Sequence, residues 1–365
     1  MRRETSRVVR TFDLERESAP SPQRTRGKGQ QRRRGKPKNQ LDGWIVLDKP
    51  SGLTSTQALS AVKRLFSPEK AGHAGTLDPI ATGLLPLAFG EATKTVPFVV
   101  DGAKTYEFTV KWGAATATDD TEGEVIATSD KRPTRAEIEA ALPAFVGEIS
   151  QVPPRYSAIK VDGQRAYDLA RGGEVVELKP RIVTVTRLAI LGEPAEDEVT
   201  LVCDCGKGTY VRSIARDLGE ALGTYGHVTA LRRTRVGPFH AEDMITLDDL
   251  REEAVDPQAA IDEVLREPSD ALLGLPEIVV DRNAAGRLRR GQGALLRPGD
   301  PALEENSEIC AMEGGKLVAL CRAEAGELRP VRVFKAPRRR ITIMPTPRPE
   351  REEHTELTSG ADEAH

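Results

Sequence analysis

Cysteine and histidine are both scarce in this chain. Four cysteines (Cys203, Cys205, Cys310 and Cys321) in 365 residues are too few and too irregularly spaced for a disulfide framework, so a reducing compartment is expected. The five histidines (His73, His227, His240, His354 and His365) have no metal-ligand spacing. Cys203 and Cys205 lie two apart on a strand with no second Cys or His pair to match them, so core packing is expected rather than zinc. No apolar run approaches the roughly 20 residues that a membrane helix needs. The N-terminal MRRETSRVVR has no apolar stretch with a cleavage site, so no secretory signal is read there. Gly206-Lys207-Gly208 lacks the rest of a nucleotide-phosphate loop, and there is no internal repeat. The expectation is a cytoplasmic protein that uses no metal, no cofactor and no membrane.

What is present is a globular composition, with 38% hydrophobic and 30% charged residues. The net charge of -3 conceals an uneven distribution. Residues 24–38 carry Arg24, Arg26, Lys28, Arg32, Arg33, Arg34, Lys36 and Lys38 without an acid, and a second basic group comprises Arg212, Arg216, Arg232, Arg233 and Arg235. Attraction to phosphate depends on the local surface, so the mean charge does not exclude a nucleic-acid partner.

Residues 1–40 have almost no apolar pattern and read as a disordered basic arm, with a second disordered tail over 337–365. Between them, Trp44–Leu47 reads as a strand, and Thr54 or Ser55 can cap a helix whose apolar face is Ala58, Leu59, Val62, Leu65 and Phe66. Tyr106, Phe108, Val110 and Trp112 alternate with polar residues as a half-buried strand does. Thr134 and Glu137 form a capping box for a helix to about Val146. Strands are predicted near Ser157–Val161, Ile182–Leu191 and Val199–Cys205, and a helix over Tyr210–Leu222. This order predicts an α+β domain over 41–250 around a mixed, largely antiparallel sheet. An acidic connecting segment (251–271) and a small β domain (272–336) follow.

The most unusual stretch is Gly72-His73-Ala74-Gly75-Thr76-Leu77-Asp78-Pro79-Ile80-Ala81-Thr82-Gly83-Leu84-Leu85-Pro86. Its glycines permit sharp turns and close ligand approach. Asp78 precedes a proline, which disfavours helical geometry and displays the carboxylate on a rigid loop suited to nucleophilic attack. By composition alone, Asp-Pro is an ordinary turn pair.

The whole series resembles one family. Asp48-Lys49-Pro50-Ser51-Gly52, the Gly72–Pro79 segment with Gly83, Gly90-Glu91-Ala92-Thr93-Lys94 and Lys104-Thr105-Tyr106 occur in order. They are followed by Pro153-Pro154-Arg155-Tyr156-Ser157-Ala158-Ile159-Lys160 and Gly163-Gln164-Arg165-Ala166-Tyr167, then Gly206-Lys207-Gly208-Thr209-Tyr210-Val211-Arg212 and His227-Val228-Thr229-Ala230-Leu231-Arg232-Arg233. This set resembles the TruB family of bacterial tRNA pseudouridine-55 synthases over about residues 41–250. Several long motifs in the right order are a specific signal.

The resemblance implies the pseudouridine synthase fold with a small PUA-like C-terminal β domain. It implies a monomer with no obligate protein partner that acts on the T-arm stem-loop of tRNA. Asp78 matches the family's nucleophile, and Arg212 the arginine that would pair with it bidentately. Tyr106 matches a tyrosine that packs on the target base, with a second role in moving a ribose proton. The target base must be flipped out of its stack, and His73 resembles the residue that helps displace it. Tyr210 and Leu231 match base-contacting positions. Three first steps remain open: attack of Asp78 on ribose C1′, passage through a glycal, or addition to the uracil ring. The chain departs from the family where Thr116-Ala117-Thr118-Asp119-Asp120 replaces a Thr-Asp-Thr-x-Asp pattern, so Asp120 matches the second acid and Ala117 stands in place of the first.

Overall fold

Thr54 caps the first helix through a capping box with Gln57, and the helix stops where Ser67 turns left-handed (φ 46°). The computed structural model describes residues 38–156, 178–297, 299–301 and 303–341, with the backbone of 160–161 and 164–165. The chain opens with β1 (Gln40–Leu41), β2 (Gly43–Lys49), α1 (Ser55–Phe66), β3 (Ala71–His73) and β4 (Thr82–Phe89). Next come α2 (Val96–Asp101), β5 (Lys104–Trp112), β6 (Ala114–Thr116), β7 (Val125–Thr128), α3 (Arg135–Ala141) and β8 (Gly147–Gln151). The short pair β9 (Lys160–Val161) and β10 (Gln164–Arg165) is followed by β11 (Arg181–Ile190), β12 (Glu198–Cys205) and α4 (Val211–Ala221). Then come β13 (Gly226–Val236), β14 (Phe239–His240), β15 (Ile245–Thr246), α5 (Leu247–Glu253) and α6 (Pro257–Val264). The last stretch holds β16 (Glu277–Val279), α7 (Arg282–Arg289), β17 (Ala294–Leu295), β18 (Glu308–Glu313), β19 (Lys316–Glu324), β20 (Glu327–Val333) and β21 (Arg339–Arg340).

Among the described residues the main sheet runs β15-β2-β4-β13-β5-β12-β11-β8, with β3 beside β4 and β14 beside β13. Only β15–β2 and β13–β4 are parallel, so the sheet is mixed and largely antiparallel, as expected. Helices α1 and α4 bury Ala58, Val62, Phe66, Ile214 and Leu218 in one apolar core with Leu47, Leu85, Phe108, Val110 and Leu201 of the sheet. Cys203 and Cys205 lie in that same core. A separate five-stranded sheet, β16-β18-β19-β20-β17, forms the small C-terminal β unit. Phe98 of α2 packs with Leu272, Cys310, Leu317, Leu320 and Phe334, which ties this unit to the first. No helix among the described residues is long and apolar enough to cross a membrane.

Two strands central to the sheet, β4 and β13, are absent from the predicted elements. β4 is buried on both faces, so its sequence is a continuous apolar run through Pro86 instead of an alternation. The helix after Thr134 changes to a 3-10 turn at Leu142–Phe145, where Pro143 enters the chain. Of the strand expected near Ser157–Val161, residues 157–159 lie outside the described residues, as do Gly163 and Ala166-Tyr167 of the next motif.

The expected domain edges need correction. Residues 1–37 and 342–365 lie outside the described residues, but 38–40 and 337–341 do not belong to tails. β1 pairs with β21, and Asp42 exchanges backbone hydrogen bonds with Arg338 through both its N–H and its carboxylate. Nor is 251–271 a mere connector. Ala260, Ile261 and Leu265 are buried in the main core, and Arg266 pairs with Trp44 through two backbone hydrogen bonds of 2.8 and 2.9 Å.

Gly83 marks the parallel junction of β4 with β13. Its φ is +93°, and an added Cβ would stand 2.3 Å from the Arg233 carbonyl oxygen. Gly83→Ala is therefore expected to cost about 2 kcal/mol or more, seen as a lower urea midpoint.

Candidate active site

The loop carrying Asp78 is held from both sides. Ser55, at the start of α1, accepts from Leu77 N–H (2.8 Å) and donates to Leu77 C=O (3.1 Å). The Pro79 carbonyl accepts from Gly52 N–H (2.8 Å) and from Lys49 Nζ (3.3 Å). Ser51 donates to Ile80 C=O, and Ala74 N–H to Pro86 C=O. The backbone is thus fixed before and after Asp78, whose side chain remains 37% exposed.

Lys49 is fully buried at the end of β2 and also donates to the carbonyls of Pro50 and Leu53. Burial pulls its pKa down to about 8, against the opposing pull of Asp78. It is a tether for the loop that the sequence displays only as part of a turn.

Arg212 supplies the counter-charge from the first turn of α4. The N-terminus of that helix is set by Gln151, whose side chain accepts from Tyr210 N–H (2.8 Å) and donates to Tyr210 C=O (3.1 Å). Nη2 of Arg212 lies 2.9 Å from Asp78 Oδ2, and Nη1 lies 3.1 Å from Asp120 Oδ2. The same two nitrogens donate to Thr118 C=O and Tyr156 C=O. The expected bidentate Arg212–Asp78 pair is therefore corrected: the guanidinium bridges two carboxylates, one nitrogen to each. Asp120 is buried and takes further hydrogen bonds from Thr118 Oγ1 and Glu122 N–H.

This bridge leaves Asp78 Oδ1 without a partner among the described residues. Burial raises the Asp78 pKa most and Asp120 adds to that, whereas Arg212 and Lys49 oppose it. The carboxyl thus titrates above its ordinary range while staying anchored by one oxygen.

Tyr106, on β5, lies directly opposite Arg233 on β13 and Cys203 on β12. Burial raises its pKa, and the adjacent Arg233 opposes the rise. Leu231 sits two residues before Arg233 on β13, opposite Phe108, and is buried. His73 ends β3 half-buried, with its Nδ1 enclosed and unbonded among the described residues. Burial, and then Arg233, lower its pKa, favouring the neutral imidazole. Tyr210 stands at the N-cap of α4, two residues from Arg212.

The structure joins Asp78 to Arg212 directly and places Tyr106, Leu231 and His73 on the strands around their loop. Three contributors were not legible as such: Lys49, Asp120 and Arg233. The Arg212–Arg235 group is no phosphate patch, because Arg212 and Arg233 are buried while Arg216 and Arg232 face Asp119 and Asp48. Only Arg235 of this group is exposed. Among the described residues, no three His, Cys, Asp or Glu are placed to hold a metal ion.

Residues 63–211 match the family model for the TruB family pseudouridylate synthase N-terminal domain. Over 316 residues the chain is 53% identical to tRNA pseudouridine synthase B of Bradyrhizobium diazoefficiens, covering 86% of this chain and 91% of that protein. This chain belongs to the TruB family of pseudouridylate synthases. A second model, for the tRNA pseudouridylate synthase B C-terminal domain, matches residues 212–274. Asp78 and Tyr106 fall within the first match, and Arg212 and Leu231 within the second. The protein of the same name from Brucella ovis is 50% identical over 83% of this chain and 99% of its own length. Among solved structures, one described as a Cbf5-Nop10-Gar1 complex aligns with TM-score 0.62 at 27% identity, covering 81% of this chain and 84% of that chain. Another, of an H/ACA RNP bound to a substrate RNA containing 2'-deoxyuridine, aligns with TM-score 0.63 at 26% identity, covering 80% and 85%.

A carboxylate attacks as a nucleophile only when ionised, so for Asp78 in that role the raised pKa fixes the sign of the pH response. Single-turnover rate is expected to fall with acid through a limb above the 3.8 of an ordinary aspartate. Arg212→Gln should move that limb to higher pH and slow the plateau by about 10²–10³-fold. A limb unchanged in the variant would contradict the role given to Arg212.

Proposed function

We propose that this chain isomerises uridine-55 in the T-loop of tRNA to pseudouridine, with Asp78 as the nucleophile. The observation that carries this reading is the half-anchored carboxylate. Arg212 holds Oδ2 at 2.9 Å while Oδ1 is left to react. The membership of the chain in the TruB family, and the names of its relatives at about half identity over nearly their full length, supply the substrate.

The reaction breaks the N1–C1′ bond, turns the uracil and joins C5 to C1′. The base must leave its stack first, which costs a few kcal/mol that contacts in the pocket must offset. Tyr106 and Leu231 are the surfaces assigned to the flipped base, with Tyr210 at the mouth and His73 entering where the base departs. A-form grooves are poorly read by side chains, so selection rests on the shape of the T-loop. We take the enzyme to work in the cytoplasm as a monomer, without cofactor, its C-terminal β unit serving as a PUA-like contact for the RNA. A guide-dependent reading is weaker: the Cbf5-Nop10-Gar1 and H/ACA RNP chains are about a quarter identical, against half for the proteins named tRNA pseudouridine synthase B.

Asp78→Asn should reduce pseudouridine formation in unmodified tRNA transcripts to background while tRNA binding stays within about threefold, since one atom changes and no contact surface is lost. Chemical mapping of pseudouridine beside a filter-binding titration reads both. Turnover by the variant would sink the assignment of the nucleophile.

A further inference from the structure

Arg233 is 1% exposed, and among the described residues no carboxylate lies within ion-pair distance of it. Its Nε donates to Leu84 C=O (2.8 Å) and its Nη2 to Gly75 C=O (3.0 Å). Gly75 has φ +91°, and a Cβ there would stand 3.3 Å from Nη1, so the loop before Asp78 is shaped to let the guanidinium pass beneath it. The opposite strand position is Tyr106. Two carbonyls alone do not require a permanent cation, because a neutral amide donates to them as well. An uncompensated buried charge costs several kcal/mol. Arg212, by contrast, has two carboxylates. Around the loop, Lys49 and Arg212 are met by Asp78, Asp120 and Glu122, whereas Arg233 has no carboxylate of its own.

A buried arginine without a carboxylate matches a reaction in which the substrate becomes anionic. When N1–C1′ breaks, the electron pair stays on the uracil, while Oδ1 of Asp78 bonds to C1′. C5 then closes on C1′ and expels the carboxylate, the C5 proton leaves, and N1 takes one up. Between those events the base carries a full negative charge. We propose that Arg233 is a positioning residue for this step: it fixes the Gly75 carbonyl, stands opposite Tyr106 on the neighbouring strand, and holds there the positive field in which the uracil anion forms. The idea rests on the isomerase reading above, and Tyr106 is the group through which it acts. Its effect on neighbours has the same sign throughout, since Arg233 favours the uncharged form of His73 and Lys49 and the anionic form of Tyr106.

The test compares tRNA carrying uridine-55 with the same tRNA carrying 5-fluorouridine, whose base is the more acidic and leaves more readily as an anion. Cleavage of the N-linked base is followed in single turnover for wild type, Arg233→Gln and Arg233→Lys, with thermal unfolding and tRNA titration alongside. Arg233→Gln should slow uridine by about a hundredfold and 5-fluorouridine by at least tenfold less, with the Kd for tRNA within about threefold. Arg233→Lys, which keeps the charge, should stay within about tenfold of wild type on uridine and keep the wild-type ratio between the two substrates. Equal penalties on both substrates in Arg233→Gln would reduce Arg233 to a structural arginine and overturn the proposal. If the Gln variant does not fold, a well-folded Arg233→Lys that loses more than tenfold or changes the ratio overturns it instead. Failure of the underlying reading is separately visible, because the wild type would then convert neither substrate.

Discussion

The Arg212 guanidinium between Asp78 and Asp120 is the interaction on which the rest of the site depends. A buried arginine needs its charge met, and a single carboxylate would satisfy it by taking both of its terminal nitrogens. Dividing the guanidinium between two acids changes the outcome. Asp120, buried in its turn and bonded by Thr118 and Glu122, neutralises much of the charge, so Asp78 is held by one oxygen only. The Asp78 carboxylate is kept oriented without being consumed by its own salt bridge. Breaking such a buried pair by removing one partner typically costs about 3–5 kcal/mol, so the arrangement also fastens α4 to the segments around it.

That fastening extends one helical turn along α4. Arg216 reaches Asp119 at 3.0 Å and, with Ser213, donates to the Val152 carbonyl. Consecutive aspartates are therefore gripped by arginines four residues apart on one helix face. Asp119 accommodates this in a left-handed conformation, φ 61°. On the other side, Lys49, Ser51, Gly52 and Ser55 fix the backbone of the Asp78 loop. Rigid placement of a reacting group is where much of an enzyme's advantage lies, and here it comes from segments 22 to 158 residues apart in sequence.

The chain ends contribute to the same body. β1 and β21 pair, Glu91 accepts from Lys94 and from Lys335 N–H, and Lys94 also donates to the Val333 carbonyl. The strap after the small β sheet thus returns to the first strands of the main sheet region, so the described chain closes on itself beside β4, the strand that leads out of the Asp78 loop.

Much of this was fixed by the order of residues alone. The capped helix at Thr54, the alternation of β5 and the strands of the small β unit follow from periods of 3.6 and 2 that any reader can count. The resemblance to the family motifs singled out Asp78, Tyr106, Arg212, His73, Tyr210 and Leu231 as candidates, because several long strings of residues occur in the family's order. β4 escaped because a strand buried on both faces has no alternation to detect, and β13 because its arginines and bulges interrupt the alternation. What only the tertiary structure decided was the partner of each charge. Lys49 looked like a turn residue, Asp120 like a loop acid and Arg233 like part of a basic surface, since a sequence records that a residue is charged but not what faces it. The sheet brings Arg233 under the loop of Gly75 and α4 brings Arg212 between two acids, and these are contacts across distances in sequence that no local pattern encodes.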